Sequence, residues 1–167
     1  EVTGGAPVRP EHFPRLVYTE KITREVMRLY PPAFALGRQL AEDVEIQGYP
    51  IKAGSQLFMF QYVTHRDGRF FAEPERFNPD RWTEEFSRTM PRYAYFPFGG
   101  GARLCIGANF AIMESALILA SISQRFKMEL EPGQTIGFSP ALTLRPSTGI
   151  RMILKNRASA TASAGHH

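Results

Sequence analysis

Apolar positions recur along this chain with two different periods, and the periods divide it into helical and extended stretches. From Val17 to Tyr30 the apolar residues Val17, Ile22, Val26, Met27 and Leu29 sit among charges, which predicts an amphipathic helix. Pro31-Pro32 ends it, because proline has no N–H to donate and restricts the residue before it. Residues 33–60 alternate between β-prone pieces and turns: Val44-Glu45-Ile46, Gln47-Gly48, Ile51, Lys52-Ala53-Gly54, then a strand over Leu57-Phe58-Met59-Phe60. A short helical turn is expected over 61–66. Residues 67–97 carry Pro74, Pro79, Pro91 and Pro97 among aromatics and charges and read as a long ordered meander without regular structure. The stretch from Ala108 to Phe126 is apolar on nearly every face, so a helix there expects burial on several sides. Farther on, Leu142-Thr143-Leu144 and Ile150 to Leu154 alternate like strands on either side of Arg145 to Gly149, which predicts a β-hairpin.

Composition narrows the class without naming it. The chain has 167 residues, 43% of them hydrophobic and 22% charged, which is the balance of a globular protein and not of a disordered one. A net charge of +4 is spread in clusters broken by apolar residues, so a nucleic-acid tract is not expected. A basic face suits an acidic redox partner. No apolar run reaches the length of a membrane span. The chain opens Glu1-Val2-Thr3 and reads as starting in mid-protein. Residues 1–14 read as a loop, and the low-complexity end, 158–167, as a disordered tail.

The chemistry-bearing feature is the only cysteine, Cys105. It stands in Phe96-Pro97-Phe98-Gly99-Gly100-Gly101-Ala102-Arg103-Leu104-Cys105-Ile106-Gly107, between a glycine-rich turn and the start of the apolar helix. A single cysteine can form no internal disulfide and no multi-thiolate zinc site. Alone, it reads as a small buried hydrophobe. Its surroundings favour a metal ligand. The thiolate is the ligating form, and a helix N-terminus offers unpaired N–H groups and a positive dipole end to that anion. Gly101 and Gly107 allow close backbone approach to a flat group. Phe98 is placed to shield the sulfur. Glu25 and Arg28, three apart on the first helix, read by themselves as a surface ion pair worth roughly 0.2–0.5 kcal/mol.

Phe98, Gly101, Arg103, Cys105 and Gly107 match F-x-x-G-x-R-x-C-x-G at every specified position. This resembles the haem-binding loop of the cytochrome P-450 family. Two further segments extend the resemblance in order: Glu25-x-x-Arg28 before Leu29-Tyr30-Pro31-Pro32, and Pro74-Glu75-Arg76-Phe77. The resemblance covers about residues 10–157. It implies an α+β chain that is the C-terminal part, residues 1–157, of a mainly helical fold with a small β region. It also implies haem b (iron protoporphyrin IX) on Cys105 and monooxygenase chemistry that inserts one oxygen atom from O2 into an apolar organic substrate. Electrons come, in that family, from NAD(P)H through a flavin reductase or ferredoxin.

Site residues carry over by position. Arg103 and Arg38 are expected to meet haem propionates. Glu25, Arg28 and Arg76 are expected to form a charge triad that fixes the proximal scaffold. Ala33, Phe34 and Ala35, with Ala141 and Leu142, resemble substrate-lining segments. His65, in Thr64-His65-Arg66-Asp67, fits a common family sequence and is given no chemistry. The family's oxygen-activating helix, with its acid and threonine, is expected upstream and has no counterpart in Thr3 to Pro7. The alternative reading is therefore a non-catalytic haem-binding fragment. Compartment stays open: cytoplasmic for a bacterial member, with an N-terminal membrane anchor on a longer parent equally compatible.

Overall fold

A computed structural model describes residues 2–157 of the chain; the expected tail at 158–167 lies outside the described residues. A 3-10 turn at Pro10–Arg15 leads into α1, Val17–Leu29. The helix forms where the spacing places it, but its buried stripe is not the apolar one: Thr23, Glu25, Arg28 and Leu29 are buried while Val17 and Val26 stay exposed. Its buried stripe is thus partly charged, and those charges organise the segments beyond it. Past Pro31-Pro32 the chain enters β1, Leu36–Gln39, β2, Val44–Ile46, β3, Tyr49–Ile51, and β4, Gln56–Met59. β1 pairs antiparallel with β4, setting Leu36 opposite Met59 and Arg38 opposite Leu57, and β2 pairs with β3 around the Gln47-Gly48 turn. Each pair is a two-stranded ribbon.

A single helical turn, α2, Gln61–Thr64, ends at His65. The meander departs from the expectation of no regular structure. It holds a 3-10 turn at Pro79–Arg81, capped by the Asn78 side chain, and a short helix α3, Glu84–Thr89, whose first turn is capped by the Thr83 hydroxyl accepting from the Phe86 amide. Its core is aromatic: Phe71 is fully buried against Trp82 and Phe86, and the Arg28 guanidinium lies 5.2 Å from the Phe71 ring centre.

α4, Ala108–Arg125, packs on α1 and on the Pro10–Arg15 turn. Burial on several sides, expected from its composition, is not met. Ala116 is its buried residue, and Phe110, Ile118 and Ile122 are exposed. No helix among the described residues is long and apolar enough to cross a membrane.

The C-terminal strands pair differently from the expected hairpin. β7, Leu144–Pro146, pairs with β6, Phe138–Pro140, and β8, Met152–Asn156, pairs with β5, Phe126–Leu130, directly after α4. The apolar alternation at 142–144 and 150–154 finds two strands, each displaced by two residues, and misses their partners; Arg145 and Pro146, read as part of the connection, lie in β7. Strand periodicity reports which face is apolar and says nothing of the neighbour.

Phe71 joins the meander core to Arg28, so Phe71→Ala is expected to cost about 3–5 kcal/mol. Denaturant unfolding measures this; a loss under about 1 kcal/mol contradicts the placement of the core.

Candidate functional site: the Cys105 loop and its scaffold

The site begins at Glu25, which has no solvent exposure. Its Oε1 accepts from Arg28 Nη2 at 2.9 Å, from the Asn78 amide at 2.9 Å and from Arg81 Nε at 3.0 Å. Its Oε2 accepts from Arg28 Nε at 2.9 Å and from the Trp82 indole at 3.0 Å. Burial by itself pushes this carboxyl up. The hydrogen bonds from Arg28 and Asn78, the Arg28 charge and the Arg81 hydrogen bond outweigh it and hold Glu25 below the ordinary glutamate range. Arg28, equally buried, spends its remaining donors on main-chain carbonyls: His65 at 2.8 Å, Pro74 at 2.6 Å and Arg76 at 3.2 Å.

This corrects the expected triad of Glu25, Arg28 and Arg76. The Arg76 guanidinium is 64% exposed and pairs with Glu73 at the surface; only its carbonyl joins the network. Arg81 takes the third place. The sequence did carry the signal, because Pro–acid–Arg–aromatic occurs twice, as Pro74-Glu75-Arg76-Phe77 and as Pro79-Asp80-Arg81-Trp82. Only the second also supplies an indole N–H to the same carboxylate, and the Asn78 amide just before it adds a further donor.

Behind the thiol, the Phe96 to Cys105 segment is closed by its own backbone. The Gly99 amide donates to the Phe96 carbonyl at 2.9 Å, Leu104 to Gly101 at 3.1 Å, and Cys105 to Phe98 at 3.0 Å. Gly99 and Gly101 sit at φ +78° and +66°, the left-handed region that disfavours any Cβ. A Cβ on Gly99 would also meet Leu36 Cδ1 at 3.3 Å, so β1 lies against the loop. Gly107 acts differently from the expectation. Its φ is −86°, which any residue adopts, and a Cβ there would make an ordinary contact 3.9 Å from Cys105 Sγ, so neither backbone nor space demands glycine at this position.

Cys105 is exposed, so Phe98, itself half-buried, does not cover the sulfur as expected. The thiol sits at the N-terminal end of α4, and Gly107 is that helix's N-cap. Leu104, Ile106 and Phe110 around it are exposed as well. An exposed thiol amid exposed apolar side chains fits the face of a flat apolar macrocycle. Among the described residues no group of three His, Cys, Asp or Glu could hold a metal ion, so a metal on Cys105 has to bring its other ligands with it. An iron porphyrin does so. A cavity of about 510 Å³ lies behind the loop, lined by Phe96, Phe98, Leu104 and Ala108 but not by Cys105; the thiol serves the open face.

The remaining expected residues are more scattered. Arg103, in a 3-10 turn two residues before the thiol, is exposed. Arg38 is exposed on β1 and donates to its neighbour's carbonyl, that of Gly37, at 2.7 Å. Ala33, Phe34 and Ala35 are half-buried just before β1, while Ala141 and Leu142 are exposed at the tip of the β6–β7 ribbon.

Two residues with no assigned chemistry prove central. His65 and Gln61 are both fully buried. The Phe96 amide donates to His65 Nε2 at 2.9 Å, and Gln61 Nε2 donates to the Phe96 carbonyl at 3.3 Å. Burial pushes the His65 pKa down to about 4. The Arg28 and Arg66 charges act in the same direction, and the nearby carbonyls of Arg28 and Met27 pull it back without forming a hydrogen bond to the ring.

Arg81→Ala leaves Glu25 short of a charged donor and is expected to cost about 3–5 kcal/mol, whereas Arg76→Ala costs less than about 1 kcal/mol. Denaturant titration of both variants separates the triads; the reverse order contradicts the Arg81 assignment. The fold also prefers neutral His65, which faces Arg28, Arg66 and Tyr95. Its contribution is full above the ordinary value of 6.5 and falls as pH drops from 6.5 toward 4. Unfolding free energy measured between pH 7 and about 5 is expected to decline in the native chain and to decline less in His65→Gln; equal slopes contradict the buried neutral imidazole.

Comparison with known proteins agrees with this geometry. The profile described as Cytochrome P-450 matches residues 1–154. Cyclooctatin synthase of Streptomyces melanosporofaciens is 40% identical over 157 residues, covering 94% of this chain and 34% of that protein. Cytochrome P-450 4V2 of Rattus norvegicus is 40% identical over 152 residues, covering 90% of this chain and 29% of that protein. The chain thus spans about a third of the length of the curated relatives it matches. Among solved structures, the haem domain of cytochrome P-450DA superposes with a TM-score of 0.86 at 30% identity, covering 92% of this chain and 34% of the other. The retinoic acid-bound cyanobacterial CYP120A1 gives 0.83 at 32% identity, covering 88% and 34%. The fold is an α+β portion of the one these proteins share, and the chain belongs to the cytochrome P-450 family.

Proposed function

We propose that this chain supplies the thiolate side of a haem monooxygenase site, with Cys105 as the axial ligand of haem b. The observation that carries the reading is the exposed Cys105 thiol, held at the N-terminal end of α4 by a backbone-closed loop, within the family's motif. Cys105 would hold an iron porphyrin through its thiolate, and that group would supply O2 activation and transfer of one oxygen atom to an organic substrate, with the thiolate as the electron-donating ligand.

The chain's own residues hold and orient. The N-terminal end of α4 favours the thiolate anion. Arg103 and Arg38, both exposed, are free to swing onto propionates as bidentate partners. The Glu25, Arg28 and Arg81 network fixes the scaffold beneath the loop. Ala33, Phe34, Ala35, Ala141 and Leu142 are apolar and accessible to different degrees, which suits an apolar substrate; the CYP120A1 structure holds retinoic acid, a largely hydrocarbon molecule. Electrons reach the loop side from NAD(P)H through a flavin reductase or ferredoxin. The chain and the rest of a longer polypeptide together make the haem domain, to which residues 1–157 contribute the C-terminal part.

Reduced, haem-loaded protein treated with carbon monoxide is expected to show a strongly red-shifted Soret band, and Cys105→Ser is expected to lose it. If Cys105→Ser kept that band, the ligand would lie elsewhere.

A further inference from the structure

α2 is a single turn, yet it and the His65 that caps it place two fully buried polar side chains, Gln61 and His65, four residues apart. Both end on the same residue. The Phe96 amide donates to His65 Nε2, and the Phe96 carbonyl accepts from Gln61 Nε2. We infer that Gln61 and His65 are positioning residues: they grip both backbone polar groups of Phe96 and thereby fix the entry of the Cys105 loop. The inference rests on the reading of Cys105 as the haem ligand.

The grip has a cost. Gln61 Oε1 and His65 Nδ1 are buried without a hydrogen-bond partner, and each such orphan is destabilising. Two apolar side chains would pack here without that cost, but they would leave the Phe96 amide with no acceptor. What the polar pair adds is direction. Nε2 accepts from Phe96, so the ring proton sits on Nδ1, and the ring is fixed edge-on to Phe96 and tilted against Tyr95.

His65 is also where two networks meet. Its carbonyl accepts from Arg28 Nη1 and its amide donates to Gln61. From Phe96 the path continues to the loop itself: the Gly99 amide shares the Phe96 carbonyl, and the Phe98 carbonyl takes the Cys105 amide. Charge network and thiol loop are therefore joined through one imidazole. A displacement of Phe96 would carry Phe98, and with it the main-chain bond that orients Cys105.

Hydrogen exchange on the full chain, together with the carbon monoxide spectrum of the haem-loaded protein, tests this. In His65→Ala the amides of Phe96, Gly99 and Cys105 are expected to exchange about tenfold faster, the equivalent of one buried hydrogen bond, while those of β5 and β8 stay unchanged. The red-shifted Soret band is expected to move partly to the ordinary position. His65→Gln, whose Oε1 can accept from the Phe96 amide, is expected to restore both. Unchanged exchange at these three amides overturns the inference, and so does uniformly faster exchange that includes β5 and β8. If His65→Ala does not fold, Gln61→Met decides. The Gly99 amide still serves the Phe96 carbonyl there, so the fold survives; faster exchange confined to the loop supports the grip and no change overturns it. A native chain without the red-shifted band sinks the Cys105 reading, while the exchange pattern still decides the grip.

Discussion

A carboxylate removed from water has to be matched donor for donor, and Glu25 is. Two guanidiniums, an indole and a main-chain amide converge on its two oxygens. Those donors come from α1, from Asn78, from the turn at 79–81 and from Trp82, so the charge defines how the meander lies against the helix. A buried ion pair of this kind is weak evidence for net stability, because desolvation offsets much of the attraction. Its effect is specificity of arrangement: any other path for the meander would leave a buried charge unmatched.

Arg28 carries that order outward. Its five N–H groups are divided between Glu25 and the carbonyls of His65, Pro74 and Arg76. The carbonyl of His65 is the branch that leads to the thiol, through the ring to Phe96 and along the loop's own hydrogen bonds to Cys105. Burial and hydrogen bonding are concentrated behind the sulfur, and the side chains around it are exposed. The thiol, Leu104, Ile106 and Phe110 are exposed, while Glu25, Arg28, Gln61 and His65 are sealed. That division suits a ligand loop, which must be fixed relative to the fold and open to a flat cofactor.

Much of this was legible in the chain. The extent of α1, the Pro31-Pro32 stop, the β2–β3 turn and the Cys105 motif all follow from local rules, and the structure has them where those rules put them. Three things were hidden. Arg76 and Arg81 occupy nearly identical tetrapeptides, and choosing between them requires knowing which one faces Glu25. The partners of β7 and β8 were missed because alternation identifies a strand without its neighbour. Gln61 and His65 act through the backbone of Phe96, thirty-odd residues away, and a main-chain partner leaves no mark in its own side chain.

The central claim is that Glu25 is ionised and fully paired although buried. Carbon-13 labelling of the glutamate carboxyls with a pH titration followed by NMR measures it directly. The account predicts that Glu25 titrates below the ordinary glutamate range, with the donors around it holding the charge against desolvation. A Glu25 resonance that titrates above that range would mean a neutral buried acid, and the network described here would not be what orders the meander and the Cys105 loop.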